Sequence, residues 1–204
     1  MDFIQNGRPV LLMDLPGHGA SSRETCDWKN AGEAVHDVAE QFGPVDAIVT
    51  HSFGGRAAAC AIELGVEADY LVLIAPPLSL SASPFADRQR EKGVPDAVIE
   101  KAESLFLEEK GYKVDGPDMI AALSAFDGKI VVIASHADES CKIEPMRALV
   151  DALNDAYLIE FDDLSHRELA LDPGVESDRG NLYVPDGRGP LAIWPRVPQT
   201  LLRC

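Results

Sequence analysis

The strongest constraint on how this chain folds is the run Val45-Asp46-Ala47-Ile48-Val49-Thr50 leading directly into His51-Ser52-Phe53-Gly54-Gly55. A short apolar stretch bounded by turn residues reads as a buried parallel strand. After it the backbone must turn sharply, and a helix must start at Arg56. Gly54 and Gly55 let strand and helix approach closely. One hydroxyl, that of Ser52, is left standing at the carboxyl edge of a sheet. The amide N–H groups that open the helix point to where negative charge can be stabilised.

A serine hydroxyl is a weak nucleophile at neutral pH, so this turn gains chemical meaning only with a base and a base-orienting acid further along. Candidates for both follow later strands. Lys129-Ile130-Val131-Val132-Ile133-Ala134 reads as buried strand and is followed by Ser135-His136-Ala137-Asp138. Tyr157-Leu158-Ile159-Glu160-Phe161 is followed by Asp162-Asp163-Leu164-Ser165-His166. A carboxylate and an imidazole are therefore expected at the same sheet edge as Ser52, where catalytic groups of parallel sheets gather. Glu139 and Glu144 compete with Asp138 for the acid position. His18, in a Pro-Gly-His-Gly turn, reads as structural.

Periodicity places helices between these strands. Residues 31–42 carry Ala31, Val35, Val38, Ala39 and Phe42 on one stripe and end at Gly43-Pro44. Residues 56–64 form the helix behind the serine turn. Pro145–Leu153 forms another, with Met146, Leu149, Val150 and Leu153 facing inward. Alternating strand and helix imply an α/β fold with a parallel sheet and right-handed crossovers.

At this point the chain resembles the α/β-hydrolase superfamily, in particular its small bacterial serine esterases. The resemblance rests on Val10-Leu11-Leu12-Met13-Asp14-Leu15-Pro16-Gly17-His18-Gly19-Ala20-Ser21, on His51 to Gly55, on Leu71-Val72-Leu73-Ile74-Ala75-Pro76-Pro77, and on His166-Arg167-Glu168-Leu169-Ala170-Leu171-Asp172-Pro173. Four linked blocks are more specific than one short motif. The resemblance implies Ser52 as nucleophile, Asp138 as acid, His166 as base and the Phe53 N–H as oxyanion donor. It implies hydrolysis of a small-molecule carboxylic ester, with no cofactor and no metal. A silent binding module on the same fold, and a gene fragment without a role, are the competing expectations.

Three departures accompany the resemblance. Thr50 stands where the family usually has glycine, so crowding against the helix is expected. The loop that normally supplies the second oxyanion donor is missing ahead of Val10. The strand that should lie between a first strand at Arg8–Asp14 and the strand at Val45–Thr50 is missing too. An amino-terminal truncation is therefore expected, with Met1–Gly7 as the end of a preceding helix.

The expected organisation is a hydrolase core over 1–77, a helical lid over 78–128, the remaining core over 129–172, and an atypical tail over 173–204 that reads either as disordered or as a substituted terminus. The lid should hold helices at Asp96–Glu109 and Pro117–Phe126. Val98, Ile99, Ala102, Leu105 and Phe106 should form one face of the first of these. His51, Pro77, Phe85, Leu105 and Phe106 are the expected substrate pocket. The last 32 residues hold five Pro, four Gly and four Arg but no Lys, and show no helical period. Leu191, Ile193 and Trp194 are candidates to dock on exposed core.

The net charge of −16 argues against nucleic acid and anionic membrane as partners. Cys26, Cys60, Cys141 and Cys204 show no paired spacing, so neither a disulfide framework nor a zinc site is expected, and reduced cytoplasm is the default location. No apolar run approaches the length of a membrane span.

Overall fold

A computed structural model describes residues 9–21, 25–81, 83–171 and 181–183. Four parallel strands lie side by side in chain order: β1 (Val45–His51), β2 (Ala68–Ile74), β3 (Lys129–Ser135) and β4 (Ala156–Phe161). This is an open α/β arrangement, a parallel sheet whose strands are joined by crossover helices. Helix α1 (Trp28–Phe42) precedes β1, and α2 (Gly54–Glu63) joins β1 to β2. Between β2 and β3 come α3 (Pro84–Glu91), α4 (Asp96–Lys110) and α5 (Met119–Leu123). Helix α6 (Ile143–Ala152) joins β3 to β4, and the short α7 (Glu168–Leu171) follows β4.

The core lies where β2, β3 and β4 meet α2, α5 and α6. Leu71, Leu73, Val131, Val132 and Leu158 from the strands are buried with Met146, Leu149 and Val150 from α6. Burying each such side chain contributes about 1.5–3 kcal/mol. On α2 the contact is made by alanines, with Ala57, Ala58, Ala59 and Ala61 all buried. These small residues bring α1 close on the other side. A Cβ built at Gly32 of α1 would fall 2.4 Å from the Cys60 Cβ, so only glycine fits there. Asp27 starts α1 three residues earlier than its apolar stripe suggests. Its carboxylate accepts from the Lys29 and Asn30 amides, and the Asn30 side chain accepts from the Asp27 amide.

The strand expected at Arg8–Asp14 does not form. Residues 9–15 run without regular structure, and Val10, Leu11 and Leu12 are 42%, 51% and 76% exposed. Among the described residues, β1 pairs with β2 alone, which makes it an edge strand. Among the described residues no strand stands between residues 10–14 and β1, so the apolar run has no ladder there to join. The tight turn that follows it does form. His18 and Ser21 amides donate to the Leu15 and His18 carbonyls, and the Ala20 amide donates to Asp14 Oδ2.

Two further differences concern the segment between β2 and β3. Pro84–Glu91 is helical, although its composition shows no apolar period and only Ala86 is buried. On α4 the expected stripe is mostly exposed. Ile99 is buried at 2%, while Val98 is 55% and Leu105 49% exposed, as is Leu107 on another side. Helix α4 is anchored by Ile99, its buried residue, and by the Phe106 ring against Tyr112.

Within the segment expected to lack regular structure, Asn181–Tyr183 form β5, antiparallel to β4. The expectations for Met1–Gly7, for the remainder of 173–204 and for Cys204 fall outside the described residues. Cys26, Cys60 and Cys141 are free thiols. No described helix is long and apolar enough to cross a membrane.

Candidate active site

Strand β1 delivers the serine. After His51 the chain turns with Ser52 at φ +52°, a left-handed conformation that a residue with a Cβ adopts only at a cost of about 1–3 kcal/mol. The Ser52 amide donates to the Ile74 carbonyl on β2 at 2.9 Å, and the Ser52 carbonyl accepts from Gly55, so the strained turn is held from both sides. Gly54 and Gly55 make the helix fit. A Cβ at Gly54 would lie 3.3 Å from Thr50 Cβ, and one at Gly55 3.2 Å from Pro76 Cβ. The crowding expected at Thr50 is thus met by the missing side chain of Gly54. The Thr50 hydroxyl donates across the ladder to the Val72 carbonyl at 3.2 Å. Phe53 caps α2, and among the described residues its amide has no hydrogen-bond acceptor.

Strands β3 and β4 deliver the other two groups. Asp138 is buried on the loop after β3. Its Oδ1 accepts from the Ser140 and Cys141 amides at 2.8 and 2.9 Å, which fixes the carboxylate and satisfies one oxygen. The other oxygen, Oδ2, lies 2.8 Å from His166 Nδ1. His166 Nε2 in turn lies 2.9 Å from Ser52 Oγ. With a carboxylate on Nδ1, the ring carries its proton there, and Nε2 is left to accept from the serine hydroxyl. Glu139 and Glu144 are exposed, so it is Asp138 that meets His166.

Two supporting residues were not singled out from sequence in these roles. Ser135, the last residue of β3, is 1% exposed, and its Oγ accepts from the Ala137 amide at 3.3 Å and the Leu164 amide at 3.1 Å. One hydroxyl thereby ties the Asp138 loop to the His166 loop. A serine ending a strand three residues before an aspartate is the local signal for such a tie. His51 Nε2 donates to the His166 carbonyl at 2.9 Å, and its ring lies 4.7 Å from the His166 ring.

The expected pocket residues fall in different places. His51 is engaged with His166. Pro77 is half-buried, and its carbonyl accepts from Arg56 Nη2 at 3.4 Å. Phe85, half-buried in the first turn of α3, donates its amide to Asp115 Oδ1 at 2.6 Å. Arg56 Nη1 also donates to the Asp115 carbonyl, so the first turn of α2 holds both ends of this layer. Burial pushes the Arg56 guanidinium below its ordinary pKa, with the Asp115 carboxylate opposing. Leu105 is half-exposed on α4, and Phe106 packs edge-on against Tyr112, whose ring meets Trp28.

Asp138, Cys141 and His166 offer donor atoms within 4.8 Å of one another. Both Asp138 oxygens and His166 Nδ1 are already committed to hydrogen bonds. Burial, reinforced by the Asp138 carboxylate, pushes the Cys141 thiol up to about 12. A protonated thiol and an occupied carboxylate do not make a ready metal site.

Comparison with known proteins agrees with this geometry at the level of fold. An esterase from Exiguobacterium antarcticum superposes with a TM-score of 0.56 at 14% identity, over 76% of this chain and 73% of its own. A bromoperoxidase from Bacillus anthracis gives 0.56 at 18% identity, over 77% and 74%. A monoacylglycerol lipase from Paleococcus ferrophilus gives 0.52 at 16%, over 75% and 73%. No curated protein sequence matches significantly. The family model described as "Alpha/beta hydrolase family" matches residues 2–202, and the chain belongs to that family.

Proposed function

We propose that this protein is a serine hydrolase that cleaves a carboxylic ester or a related acyl compound through an acyl-enzyme. The observation that carries the reading is the unbroken hydrogen-bonded line from Asp138 through His166 to Ser52, at 2.8 and 2.9 Å. His166 Nε2 takes the Ser52 proton as Oγ attacks the carbonyl carbon, and a tetrahedral intermediate forms. The Phe53 N–H donates to the oxyanion. Collapse expels the alcohol, which takes the proton from His166. Water then attacks the acyl-serine with His166 again as base, releasing the acid and restoring the serine hydroxyl. Asp138 keeps the proton on Nδ1 and stabilises the imidazolium without becoming protonated.

We assign the substrate pocket to the layer over α2 that carries Pro77 and Phe85. Support comes from Arg56, which links both to the first turn of α2 through Asp115 and the Pro77 carbonyl. On this reading residues 78–128 act as the lid.

A fluorophosphonate probe tests the proposal. Labelling at Ser52 that disappears in Ser52→Ala and His166→Ala, together with turnover of short-chain aryl esters, is the expected result. A cooperatively folded chain that neither labels nor turns over overturns it and favours a silent binding module.

A further inference from the structure

We infer that His51 is a positioning residue, which holds the His166 main chain and braces its imidazole so that the base stays on Ser52. The inference rests on the Ser52–His166–Asp138 reading above and extends it to a residue outside that line.

The loop from Asp162 to His166 connects β4 to α7, and Asp162, Asp163 and Ser165 are exposed. Its own bonds are local. Ser165 donates from its amide and its hydroxyl to Glu168 Oε2, at 2.9 and 2.6 Å. Such bonds shape the loop without fixing it to the sheet. Among the described residues, two bonds from this loop's backbone to side chains at the sheet edge provide that fixing. One runs from the Leu164 amide to Ser135 Oγ at 3.1 Å, and the other from His51 Nε2 to the His166 carbonyl at 2.9 Å. The first reaches the loop two residues before the base. The second holds the base residue itself.

The ring contact adds a second restraint. His51 and His166 rings lie 4.7 Å apart at 42°, so the His51 ring blocks displacement of the His166 imidazole toward β1. Because His51 ends β1 and Ser52 follows it directly, any movement of that strand end carries nucleophile and brace together. The distance between Ser52 Oγ and His166 Nε2 is thereby insulated from motion of the exposed loop. Misplacing a catalytic group by about 1 Å costs on the order of 10²-fold in rate, so such a brace has a measurable effect.

Side-chain geometry supplies a sharp test. A glutamine amide nitrogen reaches the position of imidazole Nε2, whereas that of asparagine reaches only Nδ1. His51→Gln should keep kcat within about threefold of wild type, while His51→Asn and His51→Leu should lower kcat about 10- to 100-fold with KM little changed. In the free protein, the downfield proton resonance of His166 Nδ1–H should persist in wild type and His51→Gln and broaden or vanish in the other two. Equal kcat values and an equally persistent resonance in His51→Asn and His51→Gln, both folded, would overturn the inference. If the wild type turns over no ester, the hydrolase reading fails by itself. The resonance then decides: unchanged across the variants it refutes the brace, and selectively lost it supports the brace.

Discussion

Thr50 and Gly54 face each other across the strand-to-helix turn, at a spacing where a single methyl group on Gly54 would lie 3.3 Å from Thr50 Cβ. Thr50 also holds β2 through its hydroxyl, so it has little freedom to retreat. Gly54→Ala is expected to lose about 1–3 kcal/mol in urea unfolding, the range for overpacking. Adding Thr50→Gly should recover part of that loss, because contacting residues are not additive. Strict additivity of the two changes would show that the turn does not depend on this contact.

Ser52 holds its hydroxyl on His166 at the cost of backbone strain, since φ is +52°. Ser52→Gly should therefore raise the unfolding free energy by about 1 kcal/mol while removing hydrolysis. Ser52→Ala should remove hydrolysis without that gain. Thermal or urea unfolding of the two variants side by side checks the difference.

Ser135→Ala leaves the Ala137 and Leu164 amides without their shared acceptor. A fully buried unmet donor costs about 1–3 kcal/mol, and these two are only partly buried, so a stability loss toward the lower end of that range is expected. Because the same oxygen joins the acid loop to the base loop, ester turnover should fall as well. Ser135→Thr, which keeps the hydroxyl, should retain more activity than Ser135→Ala in the same assay.

Glu160 is buried on β4 and bonded to Arg147 Nε and Nη2 at 2.6 and 2.8 Å, with His136 Nε2 at 3.5 Å. The Arg147 hydrogen bonds, outweighing burial, hold its carboxyl below the ordinary value of 4.5. A carboxyl lowered in the folded state contributes stability that is present above its unfolded value and lost as pH falls through the folded one. Stability should therefore decline with acidification below about 4.5. In Glu160→Gln that part of the decline should be shallower, as read from urea midpoints across a pH series.

Strands β3 and β4 were legible because both their faces are buried, which gives apolar runs such as Ile130 to Ala134 and Ala156 to Ile159. The helices behind them were legible from stripes that the sheet does bury, as at Met146, Leu149 and Val150. The same signal misled at residues 10–14 and on α4. Apolar sequence reports a tendency to be covered, and among the described residues neither segment finds the neighbour that would cover it. Helix α3 was invisible for the opposite reason, since Pro84–Glu91 buries only Ala86 and carries no stripe.

In the site, Ser52, Asp138 and His166 were legible because each follows a strand end, and strand ends of one parallel sheet share an edge. The second layer was not. Ser135 and His51 act through single hydrogen bonds to main-chain atoms of residues 29 and 115 positions away. Nothing in a linear pattern specifies which distant amide or carbonyl a strand-terminal side chain will meet.

Strands β2 and β3 are neighbours, with Tyr70 opposite Lys129 and Ile74 opposite Ile133, so the chain that leaves at Ile74 returns beside its point of departure. The segment between them thus has both ends clamped by register, and its α5 is rooted in the core through Met119, Ala122 and Leu123. Only its outer part, α3 and most of α4, can vary in length without disturbing the strand ends that carry the three sheet-edge groups. Arg56 ties that outer part down to α2 at the Asp115 and Pro77 carbonyls.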